Sequence, residues 1–461
     1  MSAIPVIAIF DVGKTNKKLF LFDEQYQLVF EKTARFTETK DEDGDPCENL
    51  ENLRLSVFDS LREVFSMKEF KIKAINFSTY GASLVYIDKD GKPLTPLYNY
   101  LKSYPADLQE QFYALYGGEI TLAHETASPV LGSLNSGLQL YRFKQRQPAN
   151  YRKLKYALHL PQYMSYLITG VACTDITSIG CHTQLWDFNR QNYHRWVKKE
   201  RLAGKLAPLK NTDEVMPAAF PGNGYSVGIG LHDSSAALIP YLVNFYEPFV
   251  LLSTGTWCIS FNPFNHEPLT TNELEQDCLC YLSYKGDPVK ASRYFAGYEH
   301  EQQVKRIANH FKQNPIRYRN IKFDQRILPK LQKRLPEKKS RRNKLNDSGF
   351  AKRDLNTFEN DVVAYHQLML DIVAQQFRAT SLVLRGAPVK RIFVDGGFGR
   401  NAIYMNLLAA AFPQMEVFAA SMAQASALGA ALAIHKSWNT QAIPNDIIEL
   451  KYYSVGQELV L

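Results

Sequence analysis

The hydrophobic and polar positions near the N-terminus predict two β-strands joined by a short turn. Residues 6–10 and 19–23 are apolar runs, and residues 11–16 between them are of types that favour turns. The same reading predicts further strands at 26–36, 73–79 and 83–88, the last ending in the turn 88–91.

Between Glu48 and Phe65 the hydrophobic residues recur at helical spacing, and Asp45-Pro46 resembles a helix start signal. The strands and helices alternate along the chain, which predicts an α/β fold. A stretch rich in glycine at 220–230 marks a candidate domain boundary. We therefore expect two domains, residues 1–228 and 229–461.

Residues 249–264 repeat the N-terminal layout of apolar strand, small turn with a glycine, and apolar strand. The two segments look like copies of one phosphate-sized hairpin, although two ordinary hairpins would give a similar pattern. Residues 390–412 read as a strand, a glycine-rich turn and a helix, followed by a helix of small residues at 423–433. A turn of this kind exposes backbone N–H groups to an anion.

The composition is that of an ordinary globular protein. The chain has 461 residues, 45% of them hydrophobic and 22% charged, which excludes a disordered or low-complexity chain. Six cysteines in this length do not suggest a disulfide framework. Neither a targeting segment nor a membrane span is evident, so we expect a soluble, cytoplasmic protein without a membrane partner.

The net charge of +8 comes from one segment. Residues 312–353 contain 15 Lys and Arg against three acidic residues, a net +12, so the rest of the chain carries −4. The densest run, 329–344, contains no aromatic residues, whereas a nucleic-acid-binding surface would be expected to interleave them with the basic residues. We therefore expect a solvated surface segment that catalysis does not need, and no nucleic-acid partner.

Two carboxylates are candidates for chemistry. Asp11 follows an apolar strand beside Gly13, where it could hold Mg²⁺ or merely cap its turn. Asp233 follows His232 at the start of a predicted helix, where it could serve as a general base or as an N-cap. The sequence contains neither a P-loop nor a G-x-S-x-G motif, so any ATP site is of another design.

Several motifs together resemble the FGGY family of carbohydrate kinases, within the actin/hexokinase-like (ribonuclease H-like) fold. The resemblance covers most of the chain and follows the family's order. The motifs are DVGKTNKK (11–18), STYGASLVYIDKDGKPLTPLYNY (78–100), LHDSSAAL (231–238), STGTW (253–257), YFAGYEHE (294–301) and VDGGFGRN (394–401). This resemblance implies two domains, each a mixed β-sheet layered with helices, around a cleft that binds sugar and ATP.

The resemblance also implies residue roles. Asp233 would be the general base, and Asp11 would organise Mg²⁺. The expected nucleotide-binding residues are Gly13, Thr15, Lys18, Thr254, Gly255, Thr256, Gly396, Gly397 and Asn401. The expected sugar-binding residues are Tyr80, Gly81, Ser83 and His232.

The residues of the motifs most resemble those of the rhamnulokinase and L-fuculokinase branch. This resemblance implies a 6-deoxy-ketose substrate, and it is compatible with a homodimer. Three residues depart from the family pattern: Lys14 and Lys18 in the first phosphate motif, and Ser83 where that branch has Asp. Two alternatives stay open, namely a non-catalytic sugar or nucleotide sensor in which Lys14 fills the phosphate turn, and a heat-shock-type ATPase. The latter lacks a recognisable peptide-binding domain.

Overall fold

The computed structural model describes residues 3–14, 17–34, 38–219, 224–332, 349–422 and 424–454. Its strands up to residue 232 are β1 (Ile4–Val12), β2 (Lys17–Asp23), β3 (Leu28–Ala34), β4 (Thr39–Lys40), β5 (Pro46–Cys47), β6 (Phe70–Thr79), β7 (Leu84–Ile87), β8 (Tyr156–His159), β9 (Thr174–Asp175), β10 (Trp186–Asp187), β11 (Asn192–Tyr193), β12 (Leu209–Lys210), β13 (Val215–Pro217), β14 (Ser226–Gly228) and β15 (Leu231–His232). The later strands are β16 (Phe249–Thr254), β17 (Cys258–Asn262), β18 (Cys278–Leu282), β19 (Pro288–Tyr294), β20 (Arg391–Gly396), β21 (Glu416–Ser421) and β22 (Glu449–Tyr453).

The α-helices alternate with these strands, as the α/β prediction required. They are α1 (Leu50–Ser66), α2 (Ala106–Tyr116), α3 (Glu119–Glu125), α4 (Ser136–Arg146), α5 (Pro148–Lys153), α6 (Leu160–Thr169), α7 (Ile176–Ile179), α8 (Arg195–Lys199), α9 (Asp233–Asn244), α10 (Thr271–Glu275), α11 (Ala296–Phe311), α12 (Leu328–Gln332), α13 (Asp361–Leu384), α14 (Ala402–Ala411), α15 (Ala425–Ala433) and α16 (His435–Trp438).

Two large sheets organise the described part of the chain, each with seven strands. The first has the order β13-β14-β6-β1-β2-β3, and β15 also pairs with β6. The second has the order β18-β19-β17-β16-β20-β21-β22. The mixed α/β class with two sheet-containing units is therefore confirmed.

The two predicted hairpins occupy equivalent places in these sheets. In the first sheet β1 pairs antiparallel with β2 and parallel with β6. In the second sheet β16 pairs antiparallel with β17 and parallel with β20. The repeated sequence layout thus corresponds to a repeated topology, in which both hairpin turns follow a buried central strand.

The boundary near 228/229 stays a prediction. Strand β15, which contains His232, still pairs with β6 of the first sheet, and α9 begins directly after it. Helices α9 and α15 cross so closely that a Cβ at Gly429 would lie 1.8 Å from the carbonyl oxygen of Ala236. Small residues in α15 therefore allow close contact between two helices distant in sequence, and the buried side chains of both pack against the first sheet.

The start of the first long helix differs from the prediction. Helix α1 begins at Leu50, and its N-cap is Asn49, whose side chain accepts hydrogen bonds from Glu51 and Asn52 N–H. Asp45-Pro46 does not start the helix, because Pro46 lies in the short strand β5. Glu48 therefore lies before the helix, where it is free to turn toward the first hairpin.

All six cysteines are buried and free, so the absence of a disulfide framework is confirmed for residues that the structure describes. Among the described helices, none is both long and apolar enough to cross a membrane. Most of the basic run 329–344 lies outside the described residues.

Candidate active site

Asp11 lies near the end of β1, where its partner across the antiparallel pair is Lys18. Its Oδ2 accepts a 3.0 Å hydrogen bond from the hydroxyl of Ser426 in α15. Burial and, next in size, the negative charge of Asp233 raise the pKa of Asp11 to about 7. Strands β1 and β15 both run parallel to β6 and end beside its residues 78–79, so the two candidate carboxylates lie at the same end of the sheet. Such a pair favours a bound cation.

Asp233 is the first residue of α9, and the N-cap position belongs to His232. Its Oδ1 accepts a 2.6 Å hydrogen bond from the backbone N–H of Ser234 and a 3.2 Å bond from the Ser234 hydroxyl. Burial raises the pKa of Asp233 to about 6, although these hydrogen bonds oppose the shift. The carboxylate is thus ionised at neutral pH but is a stronger base than an ordinary Asp, as a general base requires.

His232 forms a buried wall beside Asp233. Its Nε2 lies 3.2 Å from Asp233 Oδ1 and 3.2 Å from Cys181 Sγ, and its ring stacks on Tyr281 with centroids 5.5 Å apart. Burial lowers the pKa of His232 to about 3, so the ring is neutral at physiological pH. Its Nδ1 is buried and has no hydrogen-bond partner among the described residues.

Gly81 packs so closely against His232 that no larger residue fits there. A Cβ on Gly81 would lie 2.9 Å from Cδ2 of His232 and 3.0 Å from Sγ of Cys181. These separations are shorter than ordinary van der Waals contacts. The structure therefore brings together two of the predicted sugar-pocket residues, Gly81 and His232, with the predicted base.

Tyr80 points toward the first hairpin. Its hydroxyl donates a 3.0 Å hydrogen bond to Glu48 Oε1, and Glu48 also lies 3.0 Å from Lys17 Nζ and 3.7 Å from Lys14 Nζ. Lys14 lies 3.2 Å from Glu38 as well. Glu48, which sequence reasoning assigned to a helix, thus connects the segment that follows β6 to the first phosphate motif.

Ser83 and Lys18 have protein partners of their own. The buried Ser83 hydroxyl donates to the backbone carbonyl of Tyr98 at 3.3 Å. Lys18 Nζ lies 2.6 Å from Glu31 on the neighbouring strand. The predicted roles of Ser83 toward sugar and of Lys18 toward phosphate would require these bonds to be shared or exchanged.

The second hairpin turn is connected to the glycine-rich turn through Thr254. The Thr254 hydroxyl donates a 2.5 Å hydrogen bond to the carbonyl of Asp395 and accepts a 3.0 Å bond from Phe398 N–H. The Thr254 carbonyl accepts from Gly397 N–H at 3.0 Å. Gly396 has φ +88°, and a Cβ there would lie 2.0 Å from the Thr254 carbonyl oxygen. Only glycine allows this approach.

The tip of the second hairpin is exposed, as a phosphate-binding turn must be. Gly255 and Thr256 are both exposed, and the Thr256 carbonyl accepts hydrogen bonds from Gly297 and Tyr298 N–H at 3.1 and 3.3 Å. A Cβ at Gly297 would lie 1.9 Å from the carbonyl oxygen of Gly255. The start of α11 therefore supports the back of this turn.

Asn401 caps a helix. Its Oδ1 accepts hydrogen bonds of 3.0 and 3.1 Å from Ile403 and Tyr404 N–H at the start of α14, and its Nδ2 donates to Tyr365 Oη at 2.8 Å. These bonds hold the N-terminus of α14 next to the Gly396–Gly397 turn. Asn401 would then act on a nucleotide by placing this helix end, where backbone N–H groups attract anions.

The described residues of the two predicted phosphate turns and of the predicted sugar segment thus follow the central strands β1, β16 and β6, and Asp233 follows the short strand β15, which pairs with β6. Gly13 is half-buried after β1, and Thr15 lies outside the described residues. Sequence reasoning missed the residues that support the site from elsewhere in the chain: Glu48, Cys181, Tyr281 and Ser426. None of them belongs to a local motif, so no sequence signal pointed to them.

Comparison with protein families accounts for this arrangement. Residues 6–218 match the N-terminal domain of the FGGY family of carbohydrate kinases, and residues 246–442 match the family's C-terminal domain. Together the two matches span most of the chain. The chain belongs to the FGGY family of carbohydrate kinases. The actin-like two-domain fold implied by the motifs is thereby confirmed.

Curated relatives of this FGGY-family chain include a rhamnulokinase from Mannheimia succiniciproducens, 24% identical over 268 residues. A rhamnulokinase from Bacteroides thetaiotaomicron is 25% identical over 219 residues. The first match covers 55% of this chain and 52% of the relative, and the second 44% and 43%. The alignments thus span about half the length of these relatives.

Solved structures share the fold over nearly the whole chain. A carbohydrate kinase from Novosphingobium aromaticivorans has a TM-score of 0.81 at 23% identity, with 98% of this chain and 95% of that chain covered. A ligand-bound xylulose kinase from Lactobacillus acidophilus has a TM-score of 0.79 at 15% identity, with 98% and 94% covered.

Proposed function

We propose that this chain is an ATP-dependent carbohydrate kinase that phosphorylates a hydroxyl group of a ketose. The observation that carries the proposal is the placement of Asp11 and Asp233 at the ends of β1 and β15, which pair with β6 from its two sides. Each carboxylate belongs to a motif of the family, and each has its pKa raised by its surroundings, Asp11 to about 7 and Asp233 to about 6. Shifted carboxylates of this kind are typical of active sites.

Asp233 would act as the general base. It accepts the proton of the sugar hydroxyl while the sugar oxygen forms a bond to the γ-phosphorus of ATP. The bond from that phosphorus to the β–γ bridging oxygen breaks, and ADP leaves with the electron pair. His232 is neutral and lies 3.2 Å from Asp233, so it can orient the carboxylate or the sugar without competing for the proton.

Asp11 is the residue that would hold Mg²⁺. The Asp11–Asp233 pair concentrates negative charge at the end of β1, and the charge of Asp233 contributes to the raised pKa of Asp11. A divalent cation with its water ligands fits such a site. When bound, Mg²⁺ would neutralise charge on the phosphates of ATP, while the exposed turn would offer the backbone N–H of Thr256 to them. The Gly255 N–H already donates to the Trp257 carbonyl at 2.9 Å and holds the turn in shape.

We propose a 6-deoxy-ketose such as L-rhamnulose or L-fuculose as the sugar. The support comes from the residues of the motifs and from the rhamnulokinases among the relatives. The close contact of Gly81 with His232 limits the room on that side of the base. A compact sugar chain that presents a hydroxyl to Asp233 suits this geometry.

The alternative is a non-catalytic sensor of the same fold. In this alternative, Lys14 would fill the first phosphate turn and block the nucleotide. The Nζ of Lys14 is instead close to Glu38 and Glu48, which weakens that supposition.

Coupled ADP release distinguishes these functions. The full-length protein would be supplied with ATP and Mg²⁺ and with L-rhamnulose, L-fuculose, D-xylulose, D-fructose, L-rhamnose or glycerol. We expect ketose-dependent ADP release, fastest with a 6-deoxy-ketose. A preference for glycerol or an aldose would contradict the substrate class. Tight sugar binding without ADP release from any of them would favour the sensor.

A further inference from the structure

A cavity of about 470 Å³ lies behind the sugar-pocket segment, separate from the carboxylate pair. One wall is a face of α4, which contributes Gln139, Arg142 and Arg146 at helical spacing. The opposite wall comes from the acidic turn that contains Glu42 and from the loop that contains Lys102.

The acidic side of the cavity is organised around one lysine. Lys102 Nζ lies 2.6 Å from Asp41, 2.6 Å from Asp43 and 3.2 Å from Asp45. Glu42 accepts hydrogen bonds from Tyr98 Oη at 2.5 Å and from Gln147 Nε2 at 2.7 Å. One lysine does not balance these four carboxylates, so this side of the cavity stays negative. Their remaining lone pairs can accept hydrogen bonds from neutral hydroxyl groups.

The basic side differs, because one guanidinium there has no carboxylate partner. Arg146 pairs with Asp107. Arg142, by contrast, makes no ion pair with any described residue, and its guanidinium lies 5.1 Å from the centre of the Tyr98 ring. A guanidinium held against an aromatic ring keeps its N–H groups available for a phosphate.

Gln139 connects the cavity to the sugar pocket. It is 2% exposed, and its Nε2 donates to the carbonyls of Ala82 and Ser133, both at 2.5 Å. Its Oε1 is buried without a donor among the described residues, which signals an acceptor still to be satisfied. Tyr98, in the opposite wall, accepts from Ser83 through its carbonyl. Both walls thus contact the segment that follows Gly81.

We infer that this cavity is a second ligand site, which binds a phosphorylated polyol such as a sugar phosphate. Its phosphate pairs with Arg142, and its hydroxyl groups donate to the acidic side. Because the walls are bonded to Ala82 and Ser83, the ligand changes the sugar affinity of the catalytic pocket. This coupling rests on the proposed function, whereas the binding does not.

Calorimetric titration of the full-length protein with D-fructose 1-phosphate tests the binding. We expect Arg142→Gln to weaken binding at least tenfold. Arg62→Gln is the matched control, since Arg62 is an exposed arginine on α1, and it should leave binding unchanged. Gly81→Ala alters the catalytic pocket and should affect this binding less than Arg142→Gln does. If Arg142→Gln impairs folding, Ser103→Trp, at an exposed position in the cavity lining, replaces it and should block binding.

Several results would overturn the inference. One is that wild type does not bind D-fructose 1-phosphate. Another is that Gly81→Ala abolishes binding while Arg142→Gln does not, which would place the ligand in the catalytic pocket. If inorganic phosphate binds as tightly as D-fructose 1-phosphate, the polyol part of the ligand is not recognised. If L-alanine binds in an Arg142-dependent way and D-fructose 1-phosphate does not, the cavity is a site for a zwitterion.

The coupling is measured separately, as the KM of the best sugar with and without saturating D-fructose 1-phosphate. We expect a shift in the KM that Arg142→Gln removes and Arg62→Gln retains. An unchanged KM in a protein that binds the ligand would refute the coupling alone. If no sugar supports turnover, the proposed function fails and the titration still decides the binding.

Discussion

Gly81 and His232 are in such close contact that a methyl group on Gly81 would lie 2.9 Å from the imidazole ring. Because Nε2 of the same ring is 3.2 Å from Asp233, any displacement of His232 disturbs the proposed base. We predict that Gly81→Ala raises the KM for sugar and lowers kcat/KM by about tenfold to a hundredfold, since small misplacements are costly.

The KM for ATP should change little in Gly81→Ala. Gly204→Ala is the matched control, because a Cβ there meets no atom within 4 Å. Steady-state kinetics with each substrate varied in turn measure the effect. Wild-type kinetics in Gly81→Ala would separate Gly81 and His232 from the sugar pocket.

Asp233→Asn keeps the shape of the side chain but cannot accept a proton. We predict that kcat falls by about 10²–10⁴-fold while ATP affinity is retained. Glu119→Gln is the control, since Glu119 is likewise an acidic first residue of a helix, but it is exposed. Because His232 occupies the N-cap position, loss of a cap does not account for such a fall. Unchanged turnover in Asp233→Asn would remove Asp233 from the mechanism.

The rate should depend on pH through the same carboxylate. The pKa of Asp233 is raised to about 6, so the residue is protonated and inactive as a base below that pH. We predict that kcat/KM, measured at saturating Mg²⁺ so that the metal keeps Asp11 ionised, declines about tenfold per pH unit well below pH 6. His232, with its pKa lowered to about 3, contributes no step in the range from pH 5 to 8. A pH–rate profile without an acidic limb near pH 6 would contradict this assignment.

Asp11 should affect metal use and stability in opposite directions. Its folded pKa of about 7 exceeds the ordinary 3.8, so the folded state binds more protons between these values and stability falls as pH rises from 4 to 7. We predict that Asp11→Asn stabilises the metal-free protein at pH 8 by about 1–2 kcal/mol, allowing for solvent screening. The same variant should need more Mg²⁺ for activity.

Urea unfolding at pH 5 and pH 8 and a Mg²⁺ titration of activity measure these two effects. The stabilisation should be smaller at pH 5, where wild-type Asp11 is mostly protonated. Asp59→Asn changes an exposed aspartate on α1 and serves as the control. A destabilised Asp11→Asn with unchanged Mg²⁺ dependence would assign Asp11 to its turn alone.

Gly396 should matter for the nucleotide and not for the sugar. Its φ of +88° and the 2.0 Å approach of a Cβ to the Thr254 carbonyl mean that Gly396→Ala must move both turns. We predict at least a tenfold rise in the KM for ATP, since misplaced backbone groups cost about this much or more. Gly386→Ala is the matched control, with φ +76° but only a 3.6 Å contact to a flexible side chain. A larger effect on sugar than on ATP would contradict the assignment of this turn.

Much of the local structure could be read from the sequence, because it depends on residues close together in the chain. The apolar runs at 6–10 and 249–254 lie in central strands, and the glycines after them lie in turns, as predicted. The α/β class followed from the alternation of strands and helices, and the family followed from the order of the motifs. Strand and helix periodicity is a local property, and it leaves a readable pattern.

Only the tertiary structure decided how the site is supported. Ser426 reaches Asp11 from 415 residues away, and Glu48 leaves its predicted helix to bind Tyr80. Asn401 is engaged in capping α14, and Lys18 is paired with Glu31. Such partners are chosen by packing between distant elements, where burial makes an unpaired polar group costly. A residue's type shows what it can bind, but the packed fold determines which groups are within its reach.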